Sequence, residues 1–272
     1  MGGLRREFYD PSAVRPRPRA PTQAFSQFLI NREQGDWAEQ LVRRAVNEQC
    51  TGLVAVRYGR ADDIIAGQPG FKEFFQSYHD ELEQLGKRPD LLLFGKEVAP
   101  TVVADLSRTP AREIQDVASK ATAGLEIRSS SFVALGRATA GATSGELSFT
   151  PKVEDVYVIH RWVANHDVPH YFVQVFFDSV WMLPFRALLE ILQTPAAEGS
   201  RFSVQRDQRN QFKTTLHIPI SEGTRVSTRV EEPCHRSVRH AFADGRLAFY
   251  VRFSGGSLQL DNEAFLRVLG RL

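Results

Sequence analysis

Two short apolar runs, Asp90-Leu91-Leu92-Leu93-Phe94 and Gly124-Leu125-Glu126-Ile127-Arg128, decide how this chain of 272 residues is interpreted. Each run has the length and apolar content of a buried strand, and Pro89 marks the entry to the first. Because side chains alternate along a strand, Glu126 and Arg128 are predicted to point to the same face. Carboxylates are hard oxygen ligands for Mg²⁺, and a metal-bound water beside a cation suits the hydrolysis of a phosphodiester.

The order of these elements resembles the PD-(D/E)xK nuclease superfamily, and within it the type II restriction endonucleases of the AccI type. The resemblance covers about residues 85–190. Three blocks carry it: Glu126-Ile-Arg-Ser-Ser-Ser-Phe, Leu147-Ser-Phe-Thr-Pro-Lys-Val-Glu-Asp155 and Val168-Pro-His-Tyr-Phe-Val-Gln-Val-Phe-Phe-Asp178. It implies a Mg²⁺-dependent, site-specific deoxyribonuclease of a restriction–modification system, with Asp90 and Glu126 as metal ligands. It also implies double-stranded DNA as the partner and a homodimer on DNA, because a palindromic site asks for a two-fold protein.

One residue departs from the superfamily pattern, which usually has lysine two positions after the glutamate. This chain has Arg128 there. Arginine binds phosphate well but stays charged, so it cannot act as a base. Arg128 is therefore expected to stabilise the transition state or to clamp the phosphate. Lys152, on the next strand-like run from Leu147 to Lys152, is the second candidate for the missing amine, and the sequence leaves the choice open.

The composition is that of an ordinary globular protein, 42% hydrophobic and 24% charged, long enough for one sizeable core. No apolar run approaches the length of a membrane span, and no secretory signal is expected. Cys50 and Cys234 have no paired spacing, which favours a reducing, cytoplasmic location and argues against zinc. The net charge is only +2, but cations outnumber acids in residues 1–20 and 201–240. Such uneven charge fits a protein with one face on DNA.

The alternation of strand and helix patterns predicts an α/β fold with a mixed central sheet flanked by helices, restriction-endonuclease-like, and a β-rich C-terminal part. Residues 1–35 are interpreted as a basic, Pro/Arg-rich N-terminal arm. Residues 36–195 are interpreted as the catalytic core. Residues 196–272 are interpreted as a β-rich DNA-recognition region packed on that core.

Several helical residues have predicted positions that the structure can check. Asp36 is predicted to cap the first helix, and Glu39 in its first turn is expected in solvent. The resemblance to the nuclease superfamily implies the alternative, a position of Glu39 near the metal site. The aromatic stripe of residues 71–85 is interpreted as a core-facing helix surface. Asp155 is interpreted as a first-turn acid, which the helix dipole explains by itself. His170 is interpreted as structural.

The segment from Ser203 to Lys213 is the strongest candidate for reading DNA bases. Arginine can bridge two acceptors of guanine, and asparagine or glutamine can pair with adenine. The candidate contacts of this segment are Gln205, Arg206, Arg209, Asn210 and Lys213. A polar hairpin tip is the alternative interpretation.

Three further residues are candidates for contact with DNA. Ser129 and Ser130 follow the strand of Glu126, where their hydroxyls suit a phosphate, and Arg137 lies in the Gly/Ala/Thr/Ser-rich loop of residues 136–145. Two alternatives to the endonuclease interpretation stay open on the sequence: a degraded nuclease that only binds DNA, and a repair or structure-specific nuclease of the same fold.

Overall fold

The structure is a computed structural model that describes residues 19–61, 64–98, 105–135, 147–193, 201–206 and 213–271. Three of the predicted DNA contacts, Arg137, Arg209 and Asn210, lie outside the described residues. So do residues 1–18 of the predicted arm. The domain boundaries therefore stay predictions.

Helices and strands alternate along most of the described chain. The helices are α1 (Ser26–Gln49), α2 (Phe71–Gln84), α3 (Ala111–Ala118), α4 (Val153–His166), α5 (Phe185–Gln193) and α6 (Asn262–Val268). The first strands are β1 (Leu53–Arg57), β2 (Leu91–Gly95), β3 (Ala123–Ser129), β4 (Ser148–Phe149), β5 (His170–Val175) and β6 (Val180–Pro184). The later strands are β7 (Ser203–Arg206), β8 (Thr214–Pro219), β9 (Thr224–Arg225), β10 (Ser227–Glu231), β11 (Cys234–Ala241), β12 (Leu247–Ser254) and β13 (Ser257–Leu260).

The central sheet is mixed and has six strands in the order β1-β2-β3-β5-β6-β9. The β3–β5 pair is parallel and the other pairs are antiparallel. Strand β5 is buried along its whole length, as its continuous apolar sequence predicts for a strand covered on both faces. Strand β4 and the later strands other than β9 form antiparallel sheets β4-β8-β7, β10-β13 and β11-β12. The predicted fold class, a mixed α/β sheet with a β-rich C-terminal part, is confirmed.

Hydrophobic clusters cover both faces of the central sheet. On one face α1 packs against alternate residues of β3, Leu125 and Ile127, which are almost fully buried. On the other face α4 and α5 pack against residues such as Phe172 and Leu183. Because side chains alternate, Glu126 points away from the α1 cluster while remaining completely buried.

Helix α1 begins earlier than its sequence signals predict. Its N-cap is Phe25, so the predicted cap at Asp36 is wrong and residues 26–35 of the predicted arm are helical. Contacts from the last third of the chain hold this extra length: Arg252 pairs with Glu33 at 3.0 Å, and Arg246 donates to the carbonyl oxygen of Ala24 at 2.7 Å.

The aromatic stripe of α2 is not core, in contrast to its prediction. None of the described residues of α2 is fully buried. Phe71 and Phe75 border one surface cavity, while Tyr78 and Leu82 border another. The apolar face of α2 therefore borders two clefts and is only partly buried, with Phe71 packed at the edge of a small hydrophobic cluster.

Among the described residues, no helix combines the length and the hydropathy that crossing a bilayer requires. Cys50 is buried, Cys234 is exposed, and both are free thiols.

Candidate active site

The candidate site is a cavity of about 370 Å³ bordered by α1, α2 and the ends of β1, β2 and β3. Its wall mixes acids and bases. The acids include Asp36, Glu39 and Asp90, and the cations include Arg57, Lys87 and Arg128. The structure therefore brings Asp90 and Arg128 to one cavity, as the strand pattern predicts.

Asp90 is fixed by backbone groups from two neighbouring strands. Its carboxylate Oδ2 accepts a hydrogen bond of 2.6 Å from the backbone N–H of Ile127 on β3. Its carbonyl oxygen accepts two more from the N–H groups of Tyr58 and Gly59, both at 3.0 Å. A Cβ at Gly59 would lie 3.0 Å from the Cα of Asp90, so glycine permits this close approach. The carboxylate is thus held in place before any ligand binds.

Glu126 is fully buried, and its two carboxylate oxygens have different surroundings. Oε1 contacts the Lys87 ammonium at 2.5 Å and the Arg128 guanidinium at 2.7 Å. Oε2 is buried and has no hydrogen-bond partner among the described residues. Burial alone would raise the pKa of Glu126, but the charges of Lys87 and Arg128 outweigh it and lower the pKa below its ordinary value. The two cations therefore favour the ionised form of Glu126, and among the described residues they contact its Oε1 but not its Oε2.

Asp155 completes this ionic cluster. Its Oδ2 contacts Lys87 Nζ at 3.0 Å and Arg128 Nη2 at 2.8 Å. Burial opposes its ionisation, yet the charges of Lys87 and Arg128 lower the pKa of Asp155 to about 2. Two carboxylates and two cations thus form a compact, partly desolvated quartet.

Sequence reasoning missed both Lys87 and Asp155 as members of the site. Asp155 is in the first turn of α4, where the helix dipole accounts for an acid without any site. Lys87 lies three residues before Asp90, on the segment that leads into β2. That closeness to the Pro-Asp pair was the available signal, although a single lysine beside a strand carries little information.

Glu39 lies near the carboxylates, so its expected position in solvent is wrong. Burial raises the pKa of Glu39 to about 9, and the nearby charges of Asp90 and Asp36 add to the effect. Burial likewise raises the pKa of Asp90 to about 7, with the charge of Glu126 as the next cause. These acids repel one another in a poorly solvated site. A cation held among them would relieve that repulsion.

Lys152 is near the cluster but is placed differently from its prediction. The strand in this run is limited to Ser148–Phe149, and Lys152 is the N-cap residue of α4. Burial lowers the pKa of Lys152, with Asp155 opposing and Arg128 adding to the shift. Lys152 is therefore close enough for the charges of Asp155 and Arg128 to act on its ammonium.

Ser129 and Ser130 continue β3 beyond the cluster. The Ser129 hydroxyl accepts a hydrogen bond from Gln34 at 2.8 Å, and the Ser130 hydroxyl accepts one from Gln174 at 3.0 Å. Each hydroxyl can still donate its own hydrogen. Their position at the end of the strand of Glu126 is compatible with the predicted phosphate contacts.

The described part of the predicted base-reading segment lies on an exposed edge strand, β7. Gln205 and Arg206 are exposed, and Gln205 Oε1 accepts a hydrogen bond of 2.9 Å from His217 Nε2 on β8. Lys213 is exposed just before β8. Thr214 N–H donates to Glu154 at 3.1 Å, which connects this small sheet to the first turn of α4 beside Asp155. The segment is thus attached to the element that completes the ionic cluster.

Comparison with known proteins places the chain in a family. It matches the AccI restriction endonuclease family over residues 6–140 and 142–271, nearly its whole length. The chain belongs to the AccI restriction endonuclease family. It is therefore a type II restriction endonuclease, a site-specific deoxyribonuclease whose partner is DNA. No curated protein and no solved structure matches it.

Membership of the AccI family confirms the resemblance carried by the three sequence blocks, and it extends the similarity to both ends of the chain. The assignment of individual residues to the PD-(D/E)xK pattern stays a prediction, supported by the geometry around Asp90 and Glu126. Restriction endonucleases of this kind usually need a divalent metal, and the family does not specify which.

Proposed function

We propose that this endonuclease hydrolyses phosphodiester bonds of double-stranded DNA at a short palindromic site with Mg²⁺ as cofactor. It acts in the cytoplasm, as a homodimer on DNA and as part of a restriction–modification system. The observation that carries the proposal is the pair of carboxylates on adjacent strands, Asp90 pinned by the Ile127 N–H and Glu126 buried beside two cations.

The residues present fit a hard divalent cation. Among the described residues the buried Oε2 of Glu126 has no hydrogen-bond partner, and the pKa of Asp90 is raised to about 7 by burial and by Glu126. Within the described part of the chain, no group of three or more His, Cys, Asp or Glu side chains is arranged to hold a metal ion. Mg²⁺ is commonly held by only one or two carboxylates, with waters and substrate phosphates as its other ligands. Asp90 and Glu126 would supply those carboxylates.

The metal ion and the side chains of the site would have different roles at the phosphate. When bound, the metal ion acts as a Lewis acid toward a phosphate oxygen and lowers the pKa of water. A cation stabilises the negative charge that builds on the phosphate oxygens, and the sequence pattern offers Arg128, with Lys152 as the alternative, for that role. Because Asp90, Glu126 and Arg128 are held by backbone and ionic contacts, these charges are oriented before the DNA arrives.

The DNA contacts are proposed to lie on both sides of the cluster. Ser129, Ser130 and Arg137 contact phosphates beside the cut, and the segment of residues 205–213 reads bases. Its proposed contacts are Gln205, Arg206, Arg209, Asn210 and Lys213. The exposed edge position of Gln205 and Arg206, and the link from Thr214 to Glu154, support this arrangement.

A cleavage assay tests the function directly. Purified protein is incubated with one phage genome of known sequence in Mg²⁺, in Ca²⁺ and in EDTA. We expect discrete bands in Mg²⁺ and none in EDTA. A smear in Mg²⁺ would indicate a structure-specific nuclease, and retardation of DNA without cleavage in any divalent metal would indicate a binding protein that has lost catalysis.

The base-reading proposal predicts a loss of discrimination in the variant Arg206→Ala. A bidentate base contact contributes roughly 1–3 kcal/mol of discrimination. Competition binding in Ca²⁺ should therefore show a roughly 5- to 150-fold smaller preference for the cognate duplex over a scrambled one. Arg209→Ala is expected to behave in the same way.

Two controls separate base reading from general attraction. Within this segment Lys213 is proposed to contact a phosphate and not a base, so Lys213→Ala should weaken binding to both duplexes alike and make the salt dependence shallower by about one unit of slope. Arg267→Ala, an exposed arginine paired with Glu263 on α6, should change neither quantity. If Arg206→Ala and Arg209→Ala weaken both duplexes equally, this segment only grips the backbone and residues 136–145 become the next candidate.

A further inference from the structure

We propose that Lys87 supplies the amine that acts on the scissile phosphate, while Arg128 and Asp155 are positioning residues that hold Lys87 and Glu126 in place. The inference rests on the proposed metal-dependent hydrolysis. It assigns the lysine role to a residue that is far from Glu126 in sequence and is neither of the two candidates that the sequence offered.

The contacts of Lys87 duplicate those of Arg128. The Lys87 ammonium lies 2.5 Å from Glu126 Oε1 and 3.0 Å from Asp155 Oδ2. The Arg128 guanidinium lies 2.7 Å and 2.8 Å from the same two atoms. The Lys87 amine therefore lies where the side chain of residue 128, two positions after Glu126 on β3, also reaches. Two cations share one pair of oxygens, so one can turn to a third anion while the other keeps the carboxylates in place.

The backbone beneath Lys87 is held rigidly against α4. The Lys87 N–H donates to the carbonyl oxygen of Val158 at 2.9 Å. The preceding residue, Gly86, has φ of +92°, and a Cβ there would lie 2.4 Å from both Trp162 N and Val158 O. The same helix carries Asp155 in its first turn. Lys87 and Asp155 thus lie on segments that contact each other, and this contact orients the ammonium before substrate binds.

The chemistry of the two side chains favours this division of roles. An ammonium has three donors, and two of those of Lys87 are directed at Glu126 and Asp155, which leaves one for a phosphate oxygen. The planar guanidinium of Arg128 is suited to holding carboxylates in a fixed orientation. Lys87 is also the more enclosed of the two: its side chain is 14% exposed, against 31% for Arg128. An ammonium acts more strongly on a phosphate where water is excluded.

The proposed step needs no base from Lys87. Hydrolysis forms one P–O bond to the oxygen of water and breaks one ester P–O bond. The attacking water releases a proton to solvent, and the leaving oxygen takes up a proton from solvent. Lys87 stays protonated throughout and donates a hydrogen bond to the phosphate as negative charge builds on its oxygens.

The first test is the near-isosteric variant Lys87→Met, with Lys87→Ala beside it and Lys120→Ala as a matched control at an exposed lysine of the α3 end. Single-turnover cleavage in Mg²⁺ should fall by about 10²–10³-fold in both Lys87 variants and stay unchanged in the control. Calorimetric titration of the DNA-free protein with Ca²⁺ should show binding as tight as in the wild type or tighter, since a positive charge beside Glu126 is removed. Cleavage within about 5-fold of the wild type overturns the proposal, and so does weakened Ca²⁺ binding that accompanies the loss of cleavage.

The second test moves the amine back to the strand. In the double variant Lys87→Ala/Arg128→Lys, a lysine at position 128 approaches the same oxygens from β3, so cleavage should recover at least about tenfold over Lys87→Ala alone. Lys152→Ala should cost less than Lys87→Met. Absence of recovery in the double variant, or a larger loss in Lys152→Ala, overturns the assignment.

Asp90→Asn and Glu126→Gln, run in the same assay, keep this inference separate from the proposed function. If both are inactive while Lys87→Met cleaves normally, only the role of Lys87 is wrong. If both cleave normally, the metal-site proposal itself fails.

Discussion

Replacing Asp90 by asparagine, or Glu126 by glutamine, is expected to lower the single-turnover cleavage rate at least about 100-fold. Loss of one preorganised electrostatic group at a reacting centre typically costs 10²–10³-fold, and a metal ligand is such a group. Each substitution keeps the side-chain volume. The asparagine side chain also keeps an oxygen that can accept from the Ile127 N–H, so the fold and the DNA-binding surface should be unchanged. Cleavage is measured on a cognate duplex with enzyme in excess, and binding is measured in Ca²⁺.

The exposed Asp116 on α3 provides the matched control, because Asp116→Asn removes the same charge away from the cluster. It should cleave at the wild-type rate. If Asp90→Asn or Glu126→Gln keeps more than about one hundredth of that rate, its assignment as a metal ligand is wrong.

In the absence of metal, the same Asp90→Asn variant should be more stable than the wild type. Burial, reinforced by Glu126, raises the pKa of Asp90 to about 7 from 3.8, so the folded state binds this proton more tightly than the unfolded state. The contribution of Asp90 to stability is therefore fully present below pH 4 and falls as the pH rises toward 7. At pH 8 the neutral asparagine avoids this loss, and we expect a gain of roughly 1–2 kcal/mol in the free energy of unfolding. Urea unfolding in EDTA at pH 8 and at pH 5 measures it, and the gain should shrink at pH 5.

Gly86→Ala is expected to destabilise the protein severely. The φ of +92° disfavours any side chain by about 1–2 kcal/mol, and the new Cβ would lie 2.4 Å from backbone atoms of Trp162 and Val158, which cannot move like a flexible side chain. Together we expect a loss of about 3 kcal/mol or more, which lowers the melting temperature by about 6 °C or more. Because Lys87 is the next residue, cleavage should fall as well.

Two other glycines separate backbone strain from steric clash. Gly245 has φ of +82° with no heavy atom within 4 Å of a built Cβ, so Gly245→Ala should cost only about 1–2 kcal/mol. Gly35 lies inside α1, and none of the described heavy atoms outside the helix backbone lies within 4 Å of a Cβ at this position, so Gly35→Ala should raise stability by up to about 1 kcal/mol. Equal melting temperatures for Gly86→Ala and Gly245→Ala would show that Gly86 does not pack closely against α4.

The features that local sequence patterns determine, namely the strands and the faces of their side chains, were predicted well. The apolar runs at Asp90 and Glu126 are adjacent antiparallel strands, β2 and β3, and Glu126 and Arg128 share a face because side chains alternate along β3. The continuous apolar run of β5 is a central strand, and the alternation of elements predicted the mixed α/β sheet. Each of these follows from the period of a strand and from the apolar content of a few neighbouring residues.

Features that depend on contacts with distant parts of the chain were predicted poorly from the sequence. The stripe of α2 is amphipathic, but amphipathicity does not tell whether a helix face meets a sheet or bridges a cleft, and here it borders cavities. Helix α1 begins at Ser26 without a side-chain cap at Phe25, so no local signal marks its start. Its N-terminal part is held by residues more than two hundred positions away: Arg246 binds Ala24 just before the helix, and Arg252 binds Glu33.

The sequence by itself predicted the mixed sheet, the family and the positions of Asp90 and Glu126 at two neighbouring strands, because alternation and apolar content can be recognised in short stretches of consecutive residues. Only the tertiary structure decided which other charges join them. Lys87 meets Glu126 across 39 residues and Asp155 across 68, and Glu39 approaches Asp90 from a different helix. Such meetings depend on how β2, β3, α1 and α4 pack, and on which way each side chain points. The strength of an ionic pair depends on the distance between its charges, and for residues on distant segments the sequence spacing does not reveal that distance.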